Sequence, residues 1–143
     1  MQESLRVLVV DDDPAVTDLL VEGLKIQGFN QVERASEGRE AVEKYRMFLP
    51  QVVIMDLAMP VMDGYQASLR IKSLDPSARI IILTGNPDDP RAGRILSEGL
   101  AEALFQKPVR LKDLRRIIQA HAAEAPLSGV FPTDCLPAVE SVL

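Results

Sequence analysis

Short apolar runs and longer segments of helical periodicity alternate along this sequence. The apolar runs cover residues 5–10, 52–55, 79–83 and 103–106, and a more polar run covers residues 31–35. A short apolar run that contains β-branched residues and ends at polar or chain-breaking residues predicts a strand covered on both faces, as in a parallel sheet. We therefore predict five strands, with the polar run at residues 31–35 at an edge of the sheet.

Each predicted strand is followed by a segment in which apolar residues recur at helical spacing. Asp13 and Pro14 suit the N-cap and first turn of the first helix, Ser36 suits the cap of the second, and Pro90 begins the fourth. This alternation of strands and helices predicts βαβ units, and so a parallel sheet with helices on both faces. The side chains expected to face the sheet are Val16, Leu19, Leu20, Leu24, Ala41, Val42, Tyr45, Phe48, Ala67, Ser68, Ile71, Ala92, Ile95, Leu96, Leu114, Ile117 and Ile118.

Composition narrows the classes to which the protein can belong. A chain of 143 residues is expected to form about one domain, and its hydrophobic fraction of 47% and charged fraction of 26% are ordinary for a globular protein. The apolar runs are far shorter than the roughly 18 residues that span a bilayer. A net charge of −5 argues against direct nucleic-acid binding. The single cysteine, Cys135, and a start without a signal-peptide pattern predict a cytoplasmic location.

The periodic pattern ends close to residue 122. Residues 123–143 contain three prolines and show no sustained period. We therefore predict a folded domain over residues 1–122 and a linker or loosely docked tail over residues 123–143.

Chemically active side chains follow four of the predicted strands. Asp11 and Asp12 follow the first strand, Asp56 the third, Thr84 the fourth and Lys107 the fifth. Because the carboxyl ends of parallel strands lie at one edge of a sheet, we expect these groups to converge there.

Clustered carboxylates repel one another, so a cation is expected among them, and Mg²⁺ favours oxygen ligands of this kind. A metal, a hydroxyl and an ammonium are the groups that surround a transferred phosphoryl group. We therefore predict that Asp56, which ends the most apolar strand, is a nucleophile that forms an aspartyl phosphate.

Four motifs, VVDDDP, VIMDLAMPVMDG, ILTG and FQKP, together resemble the receiver domain of bacterial two-component response regulators over residues 5 to about 121. The resemblance implies a flavodoxin-like, doubly wound sheet of five parallel strands in the order 2-1-3-4-5, with five helices. It also implies roles for the residues at the edge of the sheet. Asp56 would accept a phosphoryl group, Thr84 and Lys107 would contact it, and Mg²⁺ would be held by Asp11, Asp12, Asp56 and the backbone carbonyl of Ala58.

The resemblance further implies partners. The phosphoryl group would come from a phosphohistidine on a sensor histidine kinase or a phosphotransfer protein. Phosphorylation would switch binding to a downstream protein or a fused output domain, and the family also allows a homodimer. We expect such a domain not to be an enzyme in the usual sense, because it accepts a phosphoryl group itself, although the resemblance allows it to catalyse its own phosphorylation and dephosphorylation.

The sequence departs from the family pattern in three ways. Leu104 stands where the family usually has an aromatic residue, three positions before the lysine, and one extra residue lies between Gly99 and Lys107. Two positions that tune the lifetime of the phosphoryl group are Ala58 and Asn86. The residues of the predicted site are all present, so we predict a complete site. The departures predict an atypical output surface.

Two other functions remain open at this point. Leu104 is compatible with a receiver-like module that binds proteins without being phosphorylated. A Mg²⁺-dependent phosphohydrolase with an aspartyl-phosphate intermediate would also use Asp56, but such enzymes place a second aspartate two residues later, where this chain has Ala58.

Overall fold

The computed structural model describes residues 5–122, in which strands and helices alternate from β1 to α5. The predicted tail at residues 123–143 lies outside the described residues. Among residues 5–122, no helix has the length and the apolar character that crossing a membrane requires. The elements in chain order are β1 (Arg6–Val10), α1 (Pro14–Ile26), β2 (Gln31–Ala35), α2 (Gly38–Phe48), β3 (Val52–Asp56), α3 (Gly64–Leu74), β4 (Ile80–Thr84), α4 (Pro90–Ser97), β5 (Ala103–Gln106) and α5 (Leu111–His121).

The strands form one parallel sheet in the order β2-β1-β3-β4-β5, which confirms the predicted topology. Every residue of β3 and β4 is buried, whereas β2 alternates between exposed and partly buried positions until Ala35. Strands buried on both faces are continuously apolar, and a strand with polar positions is tolerated at an edge. The register pairs Val10 of β1 with Met55 of β3, so the carboxyl ends of these two strands are level.

Two apolar clusters lie on opposite faces of the sheet. One contains the inward side chains of α2, α3 and α4, together with alternate residues of the strands such as Leu8 and Met55. The other contains those of α1 and α5, with the intervening strand residues such as Val9 and Ile54. This division confirms that helices cover both faces of the sheet, because each strand sends successive side chains to opposite sides.

Three local predictions are wrong. Leu19 and Leu96 were expected to face the sheet but are 63% and 47% exposed, because the buried stripe of each helix runs through neighbouring positions such as Leu20 and Ile95. Helix α2 has Glu37, and not Ser36, at its N-cap. The backbone N–H and the hydroxyl of Ser36 instead donate hydrogen bonds to the Glu40 carboxylate.

A partly buried hydrogen bond joins α2 to the C-cap of α3. The Tyr45 hydroxyl donates to Oδ2 of Asp75 at 2.7 Å, and the Tyr45 side chain is buried in the core. This bond lowers the pKa of Asp75, and burial together with the Asp75 carboxylate raises the pKa of Tyr45. The folded state therefore favours the ionised carboxylate beside the neutral phenol.

We expect Tyr45→Phe to lower the free energy of unfolding by about 1–2 kcal/mol at neutral pH, since the bond to a charged acceptor is lost. The pKa of Asp75 is lower in the folded than in the unfolded state, so its stabilisation is present above about pH 4 and is lost as the pH falls through the folded-state value. Urea unfolding at neutral pH and at about pH 3 should therefore show the difference from the wild type shrinking in acid.

The control for this prediction is Tyr65→Phe. The Tyr65 hydroxyl also donates to a carboxylate, that of Glu98, but at the protein surface. We expect a much smaller loss of stability from that substitution. A loss from Tyr45→Phe that stays constant down to acid pH would contradict the role assigned to ionised Asp75.

Candidate functional site

The candidate site lies where β1 and β3 end. Asp56 is the last residue of β3 and is 8% exposed, and Asp11 directly follows β1 and is 3% exposed. The backbone N–H of Asp11 donates to the carbonyl of Ala35 at 3.2 Å, so the pairing of β1 with β2 extends to this residue. The sheet register thus holds both carboxylates at the same edge.

The predicted acidic cluster is present. One carboxylate oxygen from each of Asp11, Asp12 and Asp56 lies within 4.8 Å of the others. Asp12 is exposed, so the cluster opens to solvent on its side. The third consecutive aspartate has the separate role predicted for it, because the Asp13 carboxylate caps α1 by accepting from the backbone N–H of Ala15 at 3.0 Å.

Lys107 joins the cluster from the end of β5. Its Nζ lies 2.9 Å from Oδ2 of Asp11 and 3.1 Å from Oδ1 of Asp56. The backbone N–H of Lys107 donates to the carbonyl of Thr84 at 2.8 Å, which extends the β4–β5 pairing to this residue. The structure therefore places the ammonium between two of the three clustered carboxylates.

The electrostatics of the cluster follow from this crowding. Burial, and then the neighbouring Asp11 carboxylate, raise the pKa of Asp56, although the Lys107 ammonium opposes the shift. For Lys107, burial alone would favour the neutral form, but the Asp11 and Asp56 carboxylates outweigh burial and raise its pKa. The cluster of three carboxylates and one ammonium thus has an excess of negative charge.

An all-oxygen donor set with an exposed side suits a hard divalent cation that keeps several water ligands, as Mg²⁺ does. The carboxylates of Asp11, Asp12 and Asp56 fit such an ion. Ala58, whose carbonyl is the fourth predicted ligand, is exposed in the loop two residues after Asp56.

That loop is held tightly against β3. The backbone N–H of Gly64 donates to the carbonyl of Leu57 at 2.8 Å, and a Cβ at Gly64 would lie only 2.5 Å from the carbonyl oxygen of Asp56. Any side chain at Gly64 would collide with the backbone of the candidate phosphoacceptor. The sequence analysis missed this role of Gly64, which depends on how closely α3 approaches the end of β3.

Thr84 ends β4 at the same edge and is 3% exposed. Its hydroxyl accepts a hydrogen bond from the backbone N–H of Asn86 at 3.0 Å and donates to the Asn86 carbonyl at 3.3 Å. In this structure the hydroxyl therefore belongs to the turn that begins the β4–α4 loop. Sequence reasoning placed Thr84 at the correct edge but did not identify this bonding.

Leu104 lies on β5 opposite Ile82 of β4. It is partly buried and packs against the apolar cluster that contains α4, whereas its neighbours Ala103 and Phe105 pack against the cluster on the other face. In the family that this sequence resembles, this position is usually aromatic. Here it holds a leucine directed towards the α4 side of the sheet.

Comparison with known proteins gives the family. The sequence model of the response regulator receiver domain family matches residues 7–119 of this chain. This chain belongs to the response regulator receiver family. Its receiver domain is 33% identical over 118 residues to the chemotaxis protein CheY of Halobacterium salinarum, an alignment that covers 80% of this chain and 98% of that protein.

Other relatives include a larger protein and two solved structures. The sensor kinase/phosphatase LuxN of Vibrio harveyi is 34% identical over 116 residues, which is 81% of this chain but only 13% of LuxN. A receiver domain from Methanospirillum hungatei superposes with a TM-score of 0.76 at 29% identity, covering 81% of this chain and 91% of that one. The CheX–CheY–BeF3–Mg²⁺ complex of Borrelia burgdorferi contains a chain that is 30% identical, with a TM-score of 0.73 over 81% of this chain and 88% of that one.

These matches confirm the predicted family and fold. The protein is a response regulator receiver domain of the two-component signalling type, related to CheY and to other response regulators. Phosphorylation and Mg²⁺ binding are general features of the family, whose members interact with sensor kinases and downstream proteins.

Proposed function

We propose that this receiver accepts a phosphoryl group on Asp56 in a Mg²⁺-dependent reaction, and that phosphorylation changes its binding to a downstream partner. The observation that carries the proposal is the convergence of the Asp11, Asp12 and Asp56 carboxylates within 4.8 Å, with the Lys107 ammonium between two of them. Each of these groups has a distinct task in phosphoryl transfer.

A carboxylate oxygen of Asp56 attacks the phosphorus atom of a phosphohistidine. The new P–O bond forms as the P–N bond breaks, and the imidazole leaves with the bonding electron pair and takes up a proton. Asp56 stands at the end of a fully buried strand and is fixed by the sheet, which favours a defined line of attack. The donor is a sensor histidine kinase or a phosphotransfer protein.

Mg²⁺, held by Asp11, Asp12, Asp56 and the carbonyl of Ala58, would neutralise charge on the phosphoryl oxygens. Lys107, which contacts both Asp11 and Asp56, supplies a second positive charge. Its ammonium already contacts the Asp56 carboxylate at 3.1 Å, so a phosphoryl group attached to that carboxylate lies within its reach. Thr84 donates a hydrogen bond to the phosphoryl group once its hydroxyl leaves Asn86.

An experiment with acetyl phosphate as the phosphoryl donor tests this function. Wild-type protein incubated with acetyl phosphate and Mg²⁺ is expected to gain the mass of one phosphoryl group, measured by intact-protein mass spectrometry. Sustained release of inorganic phosphate in large excess over protein would indicate a phosphohydrolase. The absence of any mass gain with folded protein would indicate a binding module that is not phosphorylated.

The remaining assignments accompany this proposal. The domain accepts its phosphoryl group once per cycle, so we do not class it as an enzyme. Partners are a kinase or phosphotransfer protein and a downstream protein or fused output domain, with a homodimer as an alternative assembly. We also propose that the receiver domain comprises residues 1–122 and that the protein is cytoplasmic.

Leu104 and Thr84 make the switch itself testable. The phosphoryl group of an aspartyl phosphate carries about −1.5 to −2 charges in place of the single charge of the carboxylate, enough to draw Thr84 and Lys107 inward and move the loop after β4. Leucine gains little from either side-chain position, so it contributes little to the energy difference between the two states. We expect Leu104→Ala to change the phosphorylation-dependent amide shifts of residues 85–98 only modestly, and Thr84→Ala to remove most of them.

The measurement is a comparison of amide spectra with and without acetyl phosphate, on samples whose phosphorylation is followed by mass. Equal loss of the shifts in Leu104→Ala and Thr84→Ala would mean that the leucine is itself a working switch residue.

A further inference from the structure

Arg91, the second residue of α4, contacts carboxylates from two different loops. Its Nη1 donates to Oδ2 of Asp63 at 2.9 Å. Its Nε and Nη2 donate to Oδ1 and Oδ2 of Asp89 at 3.0 and 2.6 Å. The Asp63 and Asp89 side chains are 17% and 15% exposed and that of Arg91 is 35% exposed, so these ion pairs are partly shielded from solvent.

Both of these carboxylates are helix caps. Asp63 caps α3 by accepting from the backbone N–H of Gln66 at 2.8 Å, and Asp89 caps α4 by accepting from that of Arg91 at 2.9 Å. The Arg91 guanidinium thus joins the first turns of two neighbouring helices. Its hydrogen bonds hold the pKa of Asp89 at about 2, well below the usual value.

The two caps end the two loops that flank the candidate site. Asp63 closes the loop that starts after Asp56 and contains Ala58. Asp89 closes the loop that starts after Thr84, and its backbone N–H donates to the carbonyl of Asn86 at 3.1 Å, the same carbonyl that accepts from the Thr84 hydroxyl. A continuous series of polar contacts therefore runs from Thr84 through Asn86, Asp89 and Arg91 to Asp63.

We propose that Arg91 is a positioning residue that couples the metal-holding loop after Asp56 to α4, so that phosphorylation of Asp56 moves α4 through Arg91. The inference rests on the function proposed above. A planar guanidinium that pairs with Asp89 through two donors and with Asp63 through a third has a fixed orientation. Movement of either loop must therefore carry Arg91 with it or break one of its ion pairs.

Coupling through Arg91 matters more in this chain because Leu104, on the sheet side of α4, is expected to differ little in energy between the unphosphorylated and phosphorylated states. With the β5 position occupied by leucine, the Arg91–Asp63 ion pair becomes an important polar connection between the loop after Asp56 and the start of α4. Phosphorylation acts on both loops, through the metal ligands on one side and through Thr84 on the other.

A second polar connection between α3 and α4 provides a matched control. Arg94 lies 4.5 Å from the centre of the Tyr65 ring, donates to the Tyr65 hydroxyl at 2.8 Å and pairs with Glu98. It is 59% exposed and lies one helical turn further from the site. Arg94→Gln therefore removes the same charge, from the same helix, and also loses a contact with α3, but leaves the caps joined.

The experiment compares wild type, Arg91→Gln and Arg94→Gln in excess acetyl phosphate with Mg²⁺, following phosphorylation by intact mass and conformation by amide chemical shifts. In the wild type and in Arg94→Gln, we expect shift changes in residues 85–88 and in α4. In Arg91→Gln, we expect complete labelling and normal changes in residues 85–88, but loss of most of the changes in α4. Arg91→Lys, a single point charge, should restore them in part.

Asp63→Ser tests the same link from the other side. Serine keeps an oxygen acceptor for the Gln66 N–H but removes the charge that pairs with Arg91. We expect the same selective loss of the α4 response, in a protein that retains its α3 cap.

Undiminished changes in α4 in labelled Arg91→Gln or Asp63→Ser would overturn the inference, as would an equal loss in Arg94→Gln. These results are separate from a failure of the proposed function, which would appear as a wild-type protein that takes no label at all.

Discussion

Asp56→Asn is expected to abolish phosphorylation by acetyl phosphate, so that intact mass shows no gain where the wild type gains one phosphoryl group. The carboxylate of Asp56 attacks phosphorus as an anion, whereas the amide of asparagine is neutral and a much weaker nucleophile. Because Asp56 is the last residue of a fully buried strand, the substituted side chain stays at the same place and the loss can be assigned to chemistry. Metal-free Asp56→Asn is also expected to be at least as stable as wild type, because burial and Asp11 already raise the pKa of Asp56.

The matched control is Asp13→Asn. Asp13 belongs to the same group of aspartates but caps α1, and asparagine is an equally good N-cap. We expect this variant to be labelled like the wild type. Undiminished, acid-stable label on Asp56→Asn would assign the phosphoacceptor to another residue.

Replacing Asp11 and Asp12 together by Asn is expected to remove Mg²⁺ binding and, with it, phosphorylation. The two carboxylates supply most of the negative charge in the cluster, and Asp56 alone would be left beside Lys107. The fold should remain intact or gain stability, because each pair of carboxylates at about 4 Å repels by roughly 1 kcal/mol even in water. The loss of the Asp11–Lys107 ion pair partly offsets this gain, since Lys107 keeps Asp56 as its partner.

Metal titration followed by amide shifts measures this effect. Asp13→Asn combined with Asp18→Asn removes the same charge from the same part of the chain without touching the cluster, so its affinity for Mg²⁺ should stay close to that of the wild type. Unchanged Mg²⁺ affinity in the Asp11 and Asp12 double variant would show that these residues do not hold the metal.

Local pattern determined the strands and helices, the parallel type of sheet and the set of residues at its edge, whereas the strand order came from the family resemblance. Four apolar runs and one more polar run predicted the five strands, and the alternation with helical segments predicted a parallel sheet. The strands and helices could be predicted from the sequence because side-chain periodicity and chain-breaking residues depend on only a few neighbouring residues. In a parallel sheet, position at a strand end is enough to bring Asp11, Asp56 and Lys107 to one edge.

Which atoms meet at that edge was decided only by the tertiary structure. Lys107 is 96 residues from Asp11 in sequence, and its ion pairs with Asp11 and Asp56 depend on the position of β5 relative to β3. The Thr84 hydroxyl turns to Asn86 because of the conformation of the loop that follows β4. Loop conformation and side-chain direction are not encoded in hydrophobic periodicity, so no pattern in the sequence specified these contacts.

Tertiary packing also decided the contacts of Arg91 and the exposure of Leu19. Arg91 reads in the sequence as an ordinary residue after a helix-initiating proline. Its partner Asp89 is a neighbour at the N-cap of the same helix, whereas Asp63 is brought to it by the packing of α3 against α4. Leu19 fits an apolar helical stripe but is left exposed, because the sheet contacts the adjacent face of α1. The sequence determined which groups the site contains, whereas the packing of helices and loops decided how those groups are connected.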